Sequence, residues 1–189
     1  YEKSAIGGNI NAQNNLGLMY YDGKGTNQDF KKAFEWYEKS ANGGNSDAQN
    51  ILGNMYYNGK GIEKNYTKAF EWYEKSANGD NINAQNKLGW MYVYGIGINQ
   101  DLKKAFEWYE KSAKKGNINA RYNLADMYSK GIYVKQDYIE AIKWYKLSAN
   151  NGNARAQICL AYIYNTVIND KKKALYWHNY NLNNYWHNY

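Results

Sequence analysis

The sequence predicts an all-α fold built as an array of helical hairpins, and three observations lead there. The segment Ala12-Gln-Asn-Asn-Leu-Gly-Leu-Met-Tyr20 returns as Ala48–Tyr56, Ala84–Tyr92, Ala120–Tyr128 and Ala156–Tyr164, always 36 residues on. A second block, Lys32-Ala-Phe-Glu-Trp-Tyr-Glu-Lys-Ser-Ala41, returns as Lys68–Ala77 and Lys104–Ala113, and more loosely as Glu140–Ala149. Proline, the commonest helix breaker, is absent from all 189 residues. A fixed period of this length is the mark of a repeat architecture.

The first block reads as helix A of each hairpin. On a 3.6-residue wheel Ala12, Leu16, Met19 and Tyr20 share one face. Asn9, Asn45, Asn81, Asn117 and Asn153 stand where a side-chain N-cap belongs. The second block reads as helix B, opened by Asp29, Asn65, Asp101, Asp137 and Asp170. Its apolar arc holds Phe30, Ala33, Phe34, Trp36, Tyr37 and Ala41, and its opposite arc is charged. There Glu35 and Lys39, like Glu71 and Lys75, are spaced for an i,i+4 ion pair. Gly23-Lys-Gly25, Gly59-Lys-Gly61 and Gly95-Ile-Gly97 lie between the helices and are expected to close helix A with a left-handed cap. No strand precedes them, so a phosphate loop is a poor reading.

A helix of about 12 residues is only marginally stable in water, so each hairpin must bury its apolar side chains against the next. The column Gly17, Gly53, Gly89, Ala125, Ala161 stays small because a larger side chain would hold the neighbouring helix away. The predicted organisation is one array over 1–182, with a partial helix at 1–8 and hairpins at 9–44, 45–80, 81–116, 117–152 and 153–182. Tyr1–Ala5 repeats the end of the second block, so the chain reads as a fragment of a longer array. Residues 183–189 lack an apolar period and are expected to be irregular.

Ala-x3-Leu-Gly-x2-Tyr, then Gly-x-Gly, then Asp-x3-Ala-x2-Trp-Tyr-x3-Ala resembles the Sel-one-like repeat (SLR), a relative of the tetratricopeptide repeat. The resemblance covers about residues 1–180. It implies an α/α-hairpin solenoid wound as a right-handed superhelix, used as a protein-binding adaptor. The pattern departs at Tyr133, which replaces the second glycine, and at His178, which replaces the helix-B tyrosine. Cysteine-rich secreted members carry paired cysteines in each repeat; this chain has one cysteine, Cys159, and departs from that subfamily. Cys159 alone excludes an intrachain disulfide framework and favours a cytoplasmic setting.

No catalytic, metal or cofactor site is expected. The two histidines, His178 and His187, lie at the last edge of the chain, so neither a Ser-His-Asp nor a Cys-His constellation can be assembled. The carboxylates come as periodic caps or on the charged arc. No stretch approaches the ~20 apolar residues of a spanning helix. Tyrosine, asparagine and lysine are inflated together and share A/T-rich codons, so the bulk composition reads as mutational bias. The net charge of +7 lies wholly in the C-terminal half: residues 95–189 carry 14 basic and 7 acidic side chains, residues 1–94 ten of each. Nucleic acid is therefore the alternative partner, read by helical repeats through tyrosine and lysine. The neutral first half argues against it, because a groove tracking phosphates is basic throughout.

Columns that change from repeat to repeat are free of the scaffold and available to a ligand. On helix A these are Asn14, Asn50, Asn86, Tyr122 and Ile158; Leu18, Asn54, Trp90, Asp126 and Tyr162; and Tyr21, Tyr57, Val93, Ser129 and Asn165. In tetratricopeptide-like solenoids helix A lines the concave surface, so the resemblance puts these columns in a groove for a protein or peptide. Trp90 and Tyr122 suit aromatic anchors, and the asparagines suit the backbone of an extended segment.

Overall fold

The computed structural model describes residues 2–186, and the side chains of 2–180. Those residues form eleven helices and no strand: α1 (Glu2–Ile6), α2 (Ile10–Asp22), α3 (Phe30–Asn42), α4 (Ser46–Asn58), α5 (Tyr66–Asn78), α6 (Ile82–Tyr94), α7 (Leu102–Lys114), α8 (Ile118–Lys130), α9 (Tyr138–Ala149), α10 (Ala154–Thr166) and α11 (Lys171–Trp186). They fall into two compact units, one ending at Asp101 and the other beginning at Leu102. In the first unit each of α1–α6 packs on the next, and in the second α7–α11 do the same. Both are therefore stacks of α-hairpins, as the 36-residue period predicts.

The predicted helix starts have their chemical cause in side-chain caps. Asn9 and Asn45 accept the N–H of Ala12 and Ala48 at 2.9 Å, and Asn117 and Asn153 cap α8 and α10 in the same way. Asp29 Oδ1 accepts from both Lys31 and Lys32 at 3.0 Å, satisfying two amides that the first turn leaves without a helical partner. Helix A ends on a left-handed glycine at Gly23, Gly59, Gly95 and Gly131, with φ between 65° and 73°. Two residues beyond Gly131, where the earlier hairpins have their second left-handed glycine, Tyr133 holds φ 68° without being glycine, and its ring packs on Phe106 at 5.7 Å.

The small column does the work expected of it, with a specific partner. A Cβ on Gly17 would lie 2.9 Å from the Tyr37 ring, and one on Gly53 2.6 Å from the Tyr73 ring. The residue held close is thus the helix-B tyrosine of the same hairpin, wholly buried in both cases. Leu52, Leu88, Leu124 and Leu160 are also wholly buried.

Polar clamps join successive hairpins. The Nε2 groups of Gln13, Gln49 and Gln85 donate to the carbonyls of Ala5, Ala41 and Ala77 at 3.0–3.1 Å, meeting acceptors that the end of the preceding helix leaves open. Gln157 does this for Ala149, and Arg121 takes the role towards Ala113. Within each hairpin, Ser40, Ser76 and Ser148 on helix B, all buried, donate to the carbonyls of Ile10, Ser46 and Ile118 at the start of helix A.

Two local expectations need correction. Lys39 and Lys75 do not reach back to Glu35 and Glu71. Each places its ammonium 4.2 Å from the centroid of Trp36 or Trp72, one turn earlier on the helix. A half-buried indole face holds the ammonium through its quadrupole and leaves the carboxylate to water. At the C-terminal end α11 runs to Trp186, into the segment 183–189 expected to be irregular. No glycine or proline interrupts 171–186, so nothing in that stretch stops the helix; 187–189 lie outside the described residues.

Candidate functional site

The variable columns of helix A are presented differently in the two units. In the first, Asn14 and Asn50 are half-buried, with their Oδ1 atoms enclosed and unpaired. Asn54 Oδ1 accepts the buried Tyr73 hydroxyl at 2.8 Å. One repeat earlier the column holds Leu18, 44% exposed, and the Tyr37 hydroxyl is left without a partner. Burial pushes both tyrosines above the ordinary phenol range, with the Asp22 carboxylate adding to the effect at Tyr37.

Tyr21 stands edge-on to Phe30 and Tyr37, with ring centroids 5.2 and 6.4 Å away, and receives a hydrogen bond from Lys60 Nζ at 3.2 Å. Tyr57 contacts Tyr66 at 5.2 Å and Trp90 at 5.7 Å, and Trp90 contacts Tyr94 at 5.2 Å. Asn86 and Val93 are half-buried beside them. Four aromatic rings thus form one patch across two repeats, with Tyr66 and Tyr94 exposed.

The expectation that these aromatics have no scaffold task is corrected here: Tyr21 and Tyr57 rest on helix-B rings of their own hairpins, and Trp90 rests on Tyr57 and Tyr94 of helix A. Tyr66 and Tyr94 were not among the predicted residues. A signal for Tyr94 exists, since its column otherwise holds Asp22, Asn58, Lys130 and Thr166.

In the second unit Tyr122 tilts against Tyr145 at 5.8 Å. Asp126 accepts the Tyr145 hydroxyl at 3.3 Å and Lys130 Nζ at 2.8 Å. That hydrogen bond raises the Lys130 pKa, while burial raises those of Tyr145 and Cys159. Behind the group lies a cavity of about 500 Å³ walled by Tyr138, Tyr145, Cys159 and Ile163. A second cavity of about 590 Å³ lies beyond α10, between Ala161, Ala174, Leu175 and His178. It opens where His178 replaces the tyrosine whose ring fills this space against Gly17 and Gly53.

Chemically the arrangement offers aromatic surface and hydrogen-bonding groups. Among the described residues no three His, Cys, Asp or Glu side chains converge to hold a metal ion, and no helix is long and apolar enough to cross a membrane.

The Sel1 repeat profile matches residues 10–45, 46–81, 82–117, 118–153 and 154–179. A protective antigen of uropathogenic Escherichia coli strains with an SLR fold, c5321, is 36% identical, with a TM-score of 0.91 over 97% of this chain and 40% of its own. The chain thus spans well under half the length of that protein. A Sel1 repeat protein from Oxalobacter formigenes is 33% identical, with a TM-score of 0.85 over 94% of this chain and 74% of its own. The Helicobacter pylori cysteine-rich protein B is similar in fold, at 24% identity and a TM-score of 0.51 over 62% of this chain and 90% of its own. No curated protein matches the sequence.

Proposed function

The chain belongs to the Sel1 repeat family, and we propose that it is a non-enzymatic adaptor whose helix-A face holds a segment of a partner protein. Sel1 repeat proteins are in general protein-interaction scaffolds. The observation that carries the reading here is the patch of Tyr57, Tyr66, Trp90 and Tyr94. Rigid aromatic side chains bring large contact area at small entropic cost and dominate interface energetics. On α4 the Asn54 Oδ1 is taken by Tyr73 and the Asn58 Nδ2 by the Asn54 carbonyl, which leaves the Asn54 Nδ2 and the Asn58 Oδ1 for a peptide backbone. The Asp126 carboxylate is already bonded to Lys130 and Tyr145, so it gives no free general base.

Trp90→Ala tests the reading. Its expected effect is a loss of about 2 kcal/mol or more in affinity for the retained protein partner, with the helical fold kept. Affinity capture with and without nuclease, using wild type and Trp90→Ala, supplies the comparison. Loss of every bound species on nuclease treatment, with Trp90→Ala behaving as wild type, overturns the proposal in favour of nucleic-acid binding.

A further inference from the structure

We infer that the helix-A face of α10, the stripe of Ile158 and Tyr162, is a docking ridge for an acidic segment of a partner protein, one carrying two bulky apolar side chains that seat on either side of the ridge. The inference rests on the scaffold reading above and specifies the chemistry of the segment. Arg155, Ile158 and Tyr162 follow one another at i, i+3 and i+7, so they share one stripe of the helix. Ile158 is 57% and Tyr162 65% exposed, large apolar surface that the second unit leaves open. Both residues line both cavities, so α10 stands as a ridge between two depressions of about 500 and 590 Å³, each roomy enough for a large side chain.

The floors are apolar: Ile163 and Tyr138 on one side, Ala174 and Leu175 on the other. The rims are cationic. Lys171 borders the second cavity and Arg155 is exposed one turn before Ile158, while Lys130 at the first cavity is paired with Asp126 at 2.8 Å. Residues 102–189 as a whole carry 14 basic and 6 acidic side chains. An acidic segment complements this field, and the field speeds its encounter. Phosphate-rich ligands fit less well: both floors are apolar, and neither offers the donor array that phosphates require.

The test is fluorescence anisotropy with a labelled amphipathic peptide of about 20 residues, leucines at i, i+3 and i+7 and glutamates elsewhere, against the same peptide with lysine for every glutamate. The acidic peptide is expected to bind at least ~10-fold tighter, with affinity falling as salt rises. Ile158→Asp/Tyr162→Asp is expected to weaken it at least ~10-fold, with helicity and melting midpoint held, because both side chains are exposed. Ile158→Val/Tyr162→Phe is expected to bind as wild type.

Equal affinity for the two peptides, no binding of the acidic one, or an unchanged affinity in the Asp variant overturns the inference. If Trp90→Ala abolishes peptide binding while the Asp variant does not, the scaffold reading stands and this surface is wrong. Tighter binding of single-stranded RNA or of anionic lipid vesicles than of the acidic peptide overturns this surface as a protein-docking ridge.

Discussion

Leu88→Ala is expected to lower the unfolding free energy of the chain by about 2–5 kcal/mol, the lost transfer energy plus the cavity left behind. Leu88 is wholly buried on α6 and occupies the same register as Leu52 and Leu124, also wholly buried. A hairpin stack spreads the loss by nearest-neighbour coupling, so a urea melt followed by far-ultraviolet circular dichroism is the measurement. The control is Lys39→Ala. Its ammonium lies over the Trp36 ring in an exposed setting, worth about 0.5–1 kcal/mol. Equal losses for the two variants would mean that the helix phases are wrong.

Gly61→Ala is expected to cost about 2–4 kcal/mol, from a left-handed backbone and a forced displacement together. Gly61 holds φ 74°, and a Cβ there would sit 2.2 Å from the carbonyl oxygen of Phe30, the first residue of α3. Backbone, unlike the end of a flexible side chain, cannot swing aside. Gly59→Ala isolates the contact term: its φ is 71°, but the nearest atom to a new Cβ is 3.4 Å away. It is expected to cost only about 1–2 kcal/mol, the price of the left-handed conformation. Thermal melts of the two variants give the difference, and a Gly61 variant as stable as the Gly59 variant would refute the close approach.

The repeat made the helices legible because each is specified by short-range chemistry: an Asn or Asp cap, an apolar stripe and a terminal glycine. The small column was legible too, since its register holds nothing larger than alanine from Gly17 to Ala161. The clamps of Gln49 and Ser76 are not legible from the sequence, although both types recur in columns that stay polar. Their partners lie in another helix, Ala41 in the preceding hairpin and Ser46 in the same one, beyond the reach of a helical wheel. The aromatic contacts on the variable face were likewise hidden. Whether Tyr57 touches Trp90 depends on how closely two helices approach, which no single repeat encodes. The cavity beside His178 needed both halves of the comparison, the tyrosine of earlier repeats in the sequence and the ring-filled space in the structure.

The central claim is that a protein segment lies on the helix-A face of the first unit, and site-specific photocrosslinking tests it most directly. A photoreactive side chain is placed at Val93, half-buried beside the aromatic patch, and separately at Glu71, exposed on the charged arc of α5. The expected result is a discrete, nuclease-resistant cross-link to protein from position 93, weakened by Trp90→Ala, and none from position 71. Equal cross-linking from both positions, or products from position 93 that vanish with nuclease, would contradict it.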